Sequence, residues 1–163
     1  MRYIKILAYL ASADILSLFV CISLAPFSGT FMRVISVLCS TGIMICMLVA
    51  AAEKTAENDV KYCSREKKKI SFACMTAMGT TASAIPFISW LILRLTAGGN
   101  INFYTCHKLI NGWFLPLYRY INPDAYAKNL TGTQIWLMLP LSFVPAIVFI
   151  IAYSFALKKN SFT

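Results

Sequence analysis

Asp14 is the residue with the clearest capacity for chemistry. It is the one charge in Ile6–Ala25, a run of twenty otherwise apolar or small residues. An ionised carboxylate near the middle of a bilayer costs about 2.5–3.5 kcal/mol on insertion scales. The side chain must therefore face a bundle interior or water, or carry a proton. Thr81, Ser83 and Tyr153 lie at a similar expected depth on later apolar runs and are the expected partners. Two roles follow: an intramembrane proton or cation site, or a neutral acid that ties two helices together.

The other reactive side chains form weaker sets. Cys39 and Cys46 are seven apart with Met44 and Met47 beside them, and Cys74 and Met78 are four apart. Thiolates and thioethers suit Cu(I), but Met and Cys also fill apolar cores, and no Met-rich or His-rich entry segment accompanies them. The six cysteines contain no CxxC pair, so neither a disulfide framework nor a zinc ribbon is indicated. His107 is the single histidine and follows Cys106. Sequence neighbours seldom meet as nucleophile and base. Asp124 is within reach of the same loop, yet no nucleophile motif accompanies it. No phosphate-binding glycine loop and no zincin motif occurs. The expectation is no catalytic residue, no metal and no cofactor.

The elements that must position these residues are long apolar runs. Of 163 residues 59% are apolar and 13% charged, against roughly 45–50% and about 25% in soluble domains. Four runs are long enough to span: residues 6–25, 31–52, 70–95 and 135–157. The first is preceded by Arg2 and Lys5 and followed by Pro26. It exceeds the apolar core of a signal peptide, so a retained helix is expected. The third is the least apolar. Small residues recur along it at helical spacing (Ala73, Ala77, Thr81; Gly79, Ser83), which allows close helix contact and places it centrally. Pro86 in this run, and Pro140 and Pro145 in the fourth, are expected to kink or break their helices, as in transporters with interrupted helices.

Charge sets the orientation. Residues 53–69 hold ten of the chain's twenty-one charged residues. With that loop and both termini on one side, ten Lys and Arg lie there and five on the other, so both termini are expected in the cytoplasm. The net charge of +9 thus reflects topology. A nucleic-acid partner would require a basic face on a folded module. Lys67, Lys68 and Lys69 abut the third run and can contact anionic lipid heads, at about 1 kcal/mol each. The second outer loop, residues 96–133, is aromatic. Its apolar piece, residues 109–121, is too short to span and is expected to lie interfacially or re-enter. Asn129-Leu130-Thr131 matches a glycosylation sequon.

The expected fold is an all-α integral membrane protein: a single membrane domain, 1–163, with four transmembrane helices, N-in/C-in, and an interfacial or re-entrant aromatic segment. The expected function is non-enzymatic. The chain would be an accessory or interaction subunit of a larger membrane complex, docked through its small-residue third helix. The alternative is an oligomeric transport component for a small solute or ion, with Asp14 at its site. The lipid bilayer and a membrane-protein partner or a second copy are the expected partners, and the plasma membrane the expected location.

Overall fold

The computed structural model describes residues 2–27, 29–66, 72–97, 99, 101–124 and 129–161. Among these, every regular element is helical: α1 (Arg2–Leu24), α2 (Thr30–Glu66), α3 (Phe72–Thr96), α4 (Tyr104–Ile110), a 3₁₀ turn (Gly112–Phe114), α5 (Leu115–Ile121) and α6 (Gly132–Ser161). Four of them, α1, α2, α3 and α6, are long and apolar enough to cross a membrane.

Each long helix buries one stripe. On α1 it is Ile6, Leu10, Ala13, Ser17 and Cys21, three or four residues apart, which is one face of a 3.6-residue helix. Ile4, Ile15, Phe19 and Ile22 point outward. Exposed apolar side chains are the expected outer surface where lipid is the solvent. On α6 the stripe runs Ile135, Met138, Ser142, Phe149, Tyr153 and Ala156. The helices form a ring in which α1 packs on α2, α2 on α6 and α6 on α3, with a lighter contact from α3 to α1.

As far as it is described, the polar segment at residues 53–69 is helical, as the helical spacing of Glu53, Lys54, Glu57 and Lys61 allows. α2 continues without interruption through Glu66, and at 1.5 Å per residue it is about 55 Å long. The reason is periodic. Met44, Leu48, Ala52, Thr55, Ala56 and Asp59 keep one buried stripe going past the apolar run, in a stretch of good helix formers free of Pro and Gly. Lys67, Lys68 and Lys69 lie outside the described residues.

Neither α3 nor α6 is interrupted at its prolines. α3 runs unbroken through Pro86, and α6 through Pro140 and Pro145. Serine hydroxyls bridge the two helices beside the prolines: Ser83 Oγ accepts the Ala146 amide at 3.0 Å, one residue past Pro145, and Ser142 Oγ donates to the Pro86 carbonyl at 3.4 Å. Neighbouring hydroxyls commonly accommodate prolines in membrane helices this way. Thr131 and Gln134 form a reciprocal capping box, with Gln134 N donating to Thr131 Oγ1 at 3.3 Å and Thr131 N to Gln134 Oε1 at 3.0 Å. It starts α6 three residues before the apolar run.

At Gly79 α3 approaches α6 closely. A Cβ there would lie 2.6 Å and 2.7 Å from Ile150 Cγ1 and Cδ1, and a β-branched side chain yields little. Gly79→Ala is expected to cost about 1–3 kcal/mol. Ile150→Ala in the same chain should return part of that loss. A double-mutant cycle on thermal unfolding in detergent measures the coupling, and strict additivity would contradict the close approach.

Candidate functional site

The chain between α3 and α6 folds back into the end of the bundle remote from the termini. α4 lies on α3, the 3₁₀ turn packs against both α1 and α2, and α5 returns along the same two helices. Trp113, Phe114 and Tyr118 are buried by this arrangement. At its tip the Gly112 amide donates to Asp14 Oδ1 at 2.6 Å. Asp14 is therefore a clasp that holds the inserted segment to α1.

The expected partners of Asp14 are used elsewhere. Thr81 Oγ1 donates to the Ala77 carbonyl of its own helix at 2.8 Å. Ser83 serves the α6 backbone as described above. Tyr153 donates its hydroxyl to Asp59 Oδ2 at 2.8 Å, at the end of the bundle that holds the termini. Asp59, only 2% exposed, also pairs with Arg2 at 2.9 Å. This three-helix latch joins the start of α1, the extension of α2 and the last turns of α6. Reading residues 53–69 as a polar loop conceals it, although Asp59 falls on the α2 stripe.

A second polar cluster lies inside the inserted segment. His107, fully buried, shares a 2.9 Å hydrogen bond through Nδ1 with Ser89 Oγ of α3. Asn111 Nδ2 donates to the His107 carbonyl at 2.9 Å. His107 Nε2, Asn111 Oδ1 and Trp113 Nε1 are buried without a hydrogen-bond partner among the described residues. The Ser89–His107 spacing suits a nucleophile and its base, but both side chains are packed away from the surface. The bond joins α3 to α4. Burial pushes the His107 pKa down from 6.5 to about 4, only partly opposed by its bond to Ser89.

That shift has a sign. The unfolded chain takes up a proton at His107 near pH 6.5 and the folded chain only near pH 4. The folded state is thus at full stability above pH 6.5 and loses it as pH falls through that window, by about 3 kcal/mol in all. A pH series of unfolding midpoints should show this decline. His107→Gln should flatten it, and an unchanged slope in that variant would contradict the burial argument.

The inserted segment also makes a wall of the larger cavity. A space of about 440 Å³ opens between the last turn of α1, the first turns of α2 and α5. Cys21, Leu24, Phe27, Leu115 and Pro116 give it an apolar lining, and Arg33 and Arg119 bring two guanidinium groups. No acidic side chain lines it. Asp124, the one acid in residues 96–133, has its Oδ2 engaged by Asn129 at 2.8 Å, while its carbonyl accepts from Lys108 at 2.6 Å. Burial, and then repulsion from Arg119, hold the Lys108 ammonium below its usual pKa. Positive charge is in excess here. Arg33 at the start of the second run reads in the sequence as a snorkelling anchor, and Arg119 as an interruption of an apolar piece. Nothing in their spacing joins them.

No family model, curated protein or solved structure matches this chain. The site stands on its own geometry.

The soft-ligand set does not assemble. Cys39 and Cys46 are exposed on α2, whereas Met44 and Met78 are buried, and among the described residues no group of three or more His, Cys, Asp or Glu side chains is placed to hold a metal ion. All six cysteines are free. Asn129 of the sequon is tied to Asp124, and its backbone carbonyl accepts from Asn122 at 3.1 Å.

Proposed function

We propose that this chain is a non-enzymatic binding and interaction subunit of a membrane, with both termini in the cytoplasm and its recognition site on the outer side, where the inserted aromatic segment closes the bundle. The observation that carries this reading is the pocket presenting Arg33 and Arg119 to the surface without an acidic partner among its lining residues. Pockets of this size commonly hold one small ligand or group, and guanidinium forks select planar or tetrahedral oxyanions. The orientation rests on the ten-to-five distribution of Lys and Arg. Ala73, Ala77 and Thr80 are exposed on α3, a face narrow enough for a helix of a larger complex to approach. The plasma membrane is the compartment proposed.

The test is purification from native membranes in mild detergent, with the stoichiometry of co-purifying protein and amphiphile compared between the parent chain and an R33Q/R119Q variant. A stoichiometric component that is lost from the variant is the expected result. Equal recovery from both chains, or no component from either, would sink the reading.

The Asp14 clasp favours a second reading, in which the chain is an oligomeric transport component and protonation of Asp14 loosens the inserted segment. Asp14→Asn separates the two readings, because the amide oxygen can still accept from Gly112. The interaction reading expects unchanged assembly. The transport reading expects proton-linked solute movement in reconstituted vesicles that this substitution abolishes.

A further inference from the structure

We infer that the pocket between α1, α2 and α5 seats the phosphate of a membrane amphiphile, with its apolar part along the pocket wall. This rests on the proposed recognition of an anion at Arg33 and Arg119 and names the class of ligand.

Three observations converge on it. The first is the lining. Arg33 and Arg119 each bring a guanidinium group to the lining, and Ser36 adds a hydroxyl. The Ser36 hydroxyl donates weakly to Cys21 Sγ at 3.8 Å and its oxygen can still accept. Around these groups Leu24, Phe27, Leu115 and Pro116 form a continuous apolar surface. A free inorganic anion has no use for that surface, whereas an amphiphile fills it. The second observation is depth. The lining combines the last turn of α1 with the first turns of α2, so the pocket sits where two candidate spans end. Phospholipid phosphates occupy that level and hydrocarbon begins just below it. Arg33 is the fourth residue of α2, so its guanidinium starts within a turn of that level. The third is charge. Arg119 repels Lys108 across the segment, and the Asp124 carboxylate, which attracts Lys108, offsets only one of these charges. The N-terminus of α2 adds its dipole to the same place. An oxyanion relieves this excess, and a zwitterionic headgroup with its own cation relieves less of it.

The pocket is also linked to the core of the bundle. Leu115 and Pro116 follow directly on the turn whose Gly112 amide binds Asp14. Filling the pocket therefore presses on the wall that carries the clasp.

The experiment uses the full chain, delipidated in mild detergent and titrated with phosphatidylglycerol, with phosphatidylcholine or with inorganic phosphate. Bound ligand is counted by native mass spectrometry. The expected result is one tightly retained phosphatidylglycerol and weaker phosphatidylcholine. Affinity should fall by about tenfold for each guanidinium removed in R33Q and R119Q, while K5Q/K54Q binds as the parent does. Leu24→Trp keeps both charges and narrows the apolar wall. It should lose the amphiphile and retain any competition by inorganic phosphate, which keeps the test valid if a charge variant unfolds. Arginine-dependent binding of inorganic phosphate with no retained lipid would overturn the amphiphile and leave anion recognition standing. Lipid retention that is the same in R33Q, R119Q and the parent chain would overturn both.

Discussion

Asp59→Ala is expected to lower the thermal midpoint of the purified protein by about 10 °C. Its carboxylate is buried between Tyr153 at 2.8 Å and Arg2 at 2.9 Å, and it joins three helices at one end of the bundle. The truncation leaves the Tyr153 hydroxyl, on a fully buried side chain, with no acceptor from Asp59, at about 1–3 kcal/mol. It also removes the counter-charge of Arg2. That side chain is 42% exposed and can turn to solvent, so its share is the smaller one. A total near 3 kcal/mol is at the low end for breaking a buried ion pair. At about 2–4 °C per kcal/mol for a chain of this size, the midpoint moves by the amount stated. Two further variants divide the effect. Asp59→Asn keeps an acceptor for Tyr153 and loses only the ion pair, so it should lose less. Tyr153→Phe removes one hydrogen bond and leaves the ion pair, at about 1 kcal/mol. Circular dichroism melts in one detergent measure all three. A midpoint for Asp59→Ala within 2 °C of the parent would show that the latch does not hold the helices together.

Gly112→Val is expected to release the inserted segment from the bundle. A Cβ at this position meets Leu18 Cγ at 2.6 Å, Leu18 Cδ2 at 2.7 Å and Asp14 Oδ1 at 2.8 Å. The last of these is the oxygen that the Gly112 amide must reach at 2.6 Å. Any side chain therefore forces a choice between the clasp and the packing on α1. Overpacking costs about 1–3 kcal/mol, and the lost bond to a carboxylate about 1.5–3 kcal/mol more. The readout lies next to the tip. Cys21 is 8% exposed and its Sγ lies 4.0 Å from the Gly112 carbonyl. In a background where Cys21 is the only cysteine, maleimide labelling is expected to rise by about tenfold or more in Gly112→Val. Labelling as slow as in the parent would mean that the tip tolerates a side chain. Asp14→Asn, which keeps an acceptor, should label at an intermediate rate.

Much of the architecture was legible without coordinates because bilayer thickness is a strict ruler. A run of about twenty apolar residues admits one structure in lipid, since every backbone group must find a partner within its own helix. Hence the four long apolar helices and the need for a partner at Asp14 could be read from composition and spacing alone. Local chemistry was less decisive. Pro140 and Pro145 argue for a broken helix, and only the facing Ser83 restores a partner to the backbone beside Pro145. The spacing of Glu53, Lys54, Glu57 and Lys61 already allows a helical extension, but that Asp59 on it meets Tyr153 across the bundle is a tertiary fact.

The candidate site belongs to tertiary structure. Arg33 and Arg119 are eighty-six positions apart, and Asp14 and Gly112 ninety-eight. No periodicity relates such pairs, because the first come to one cavity and the second into contact only when the 3₁₀ turn inserts between α1 and α2. One signal was present, the Asn111-Gly112 turn inside an otherwise apolar piece. It marks where the segment reverses but not where the tip goes. The apolar lengths determined which helices form and the charge asymmetry their expected orientation. The packing of the inserted segment decided which side chains face each other, because that choice depends on the fit of Gly112 against Leu18 and Asp14, which no one-dimensional pattern encodes.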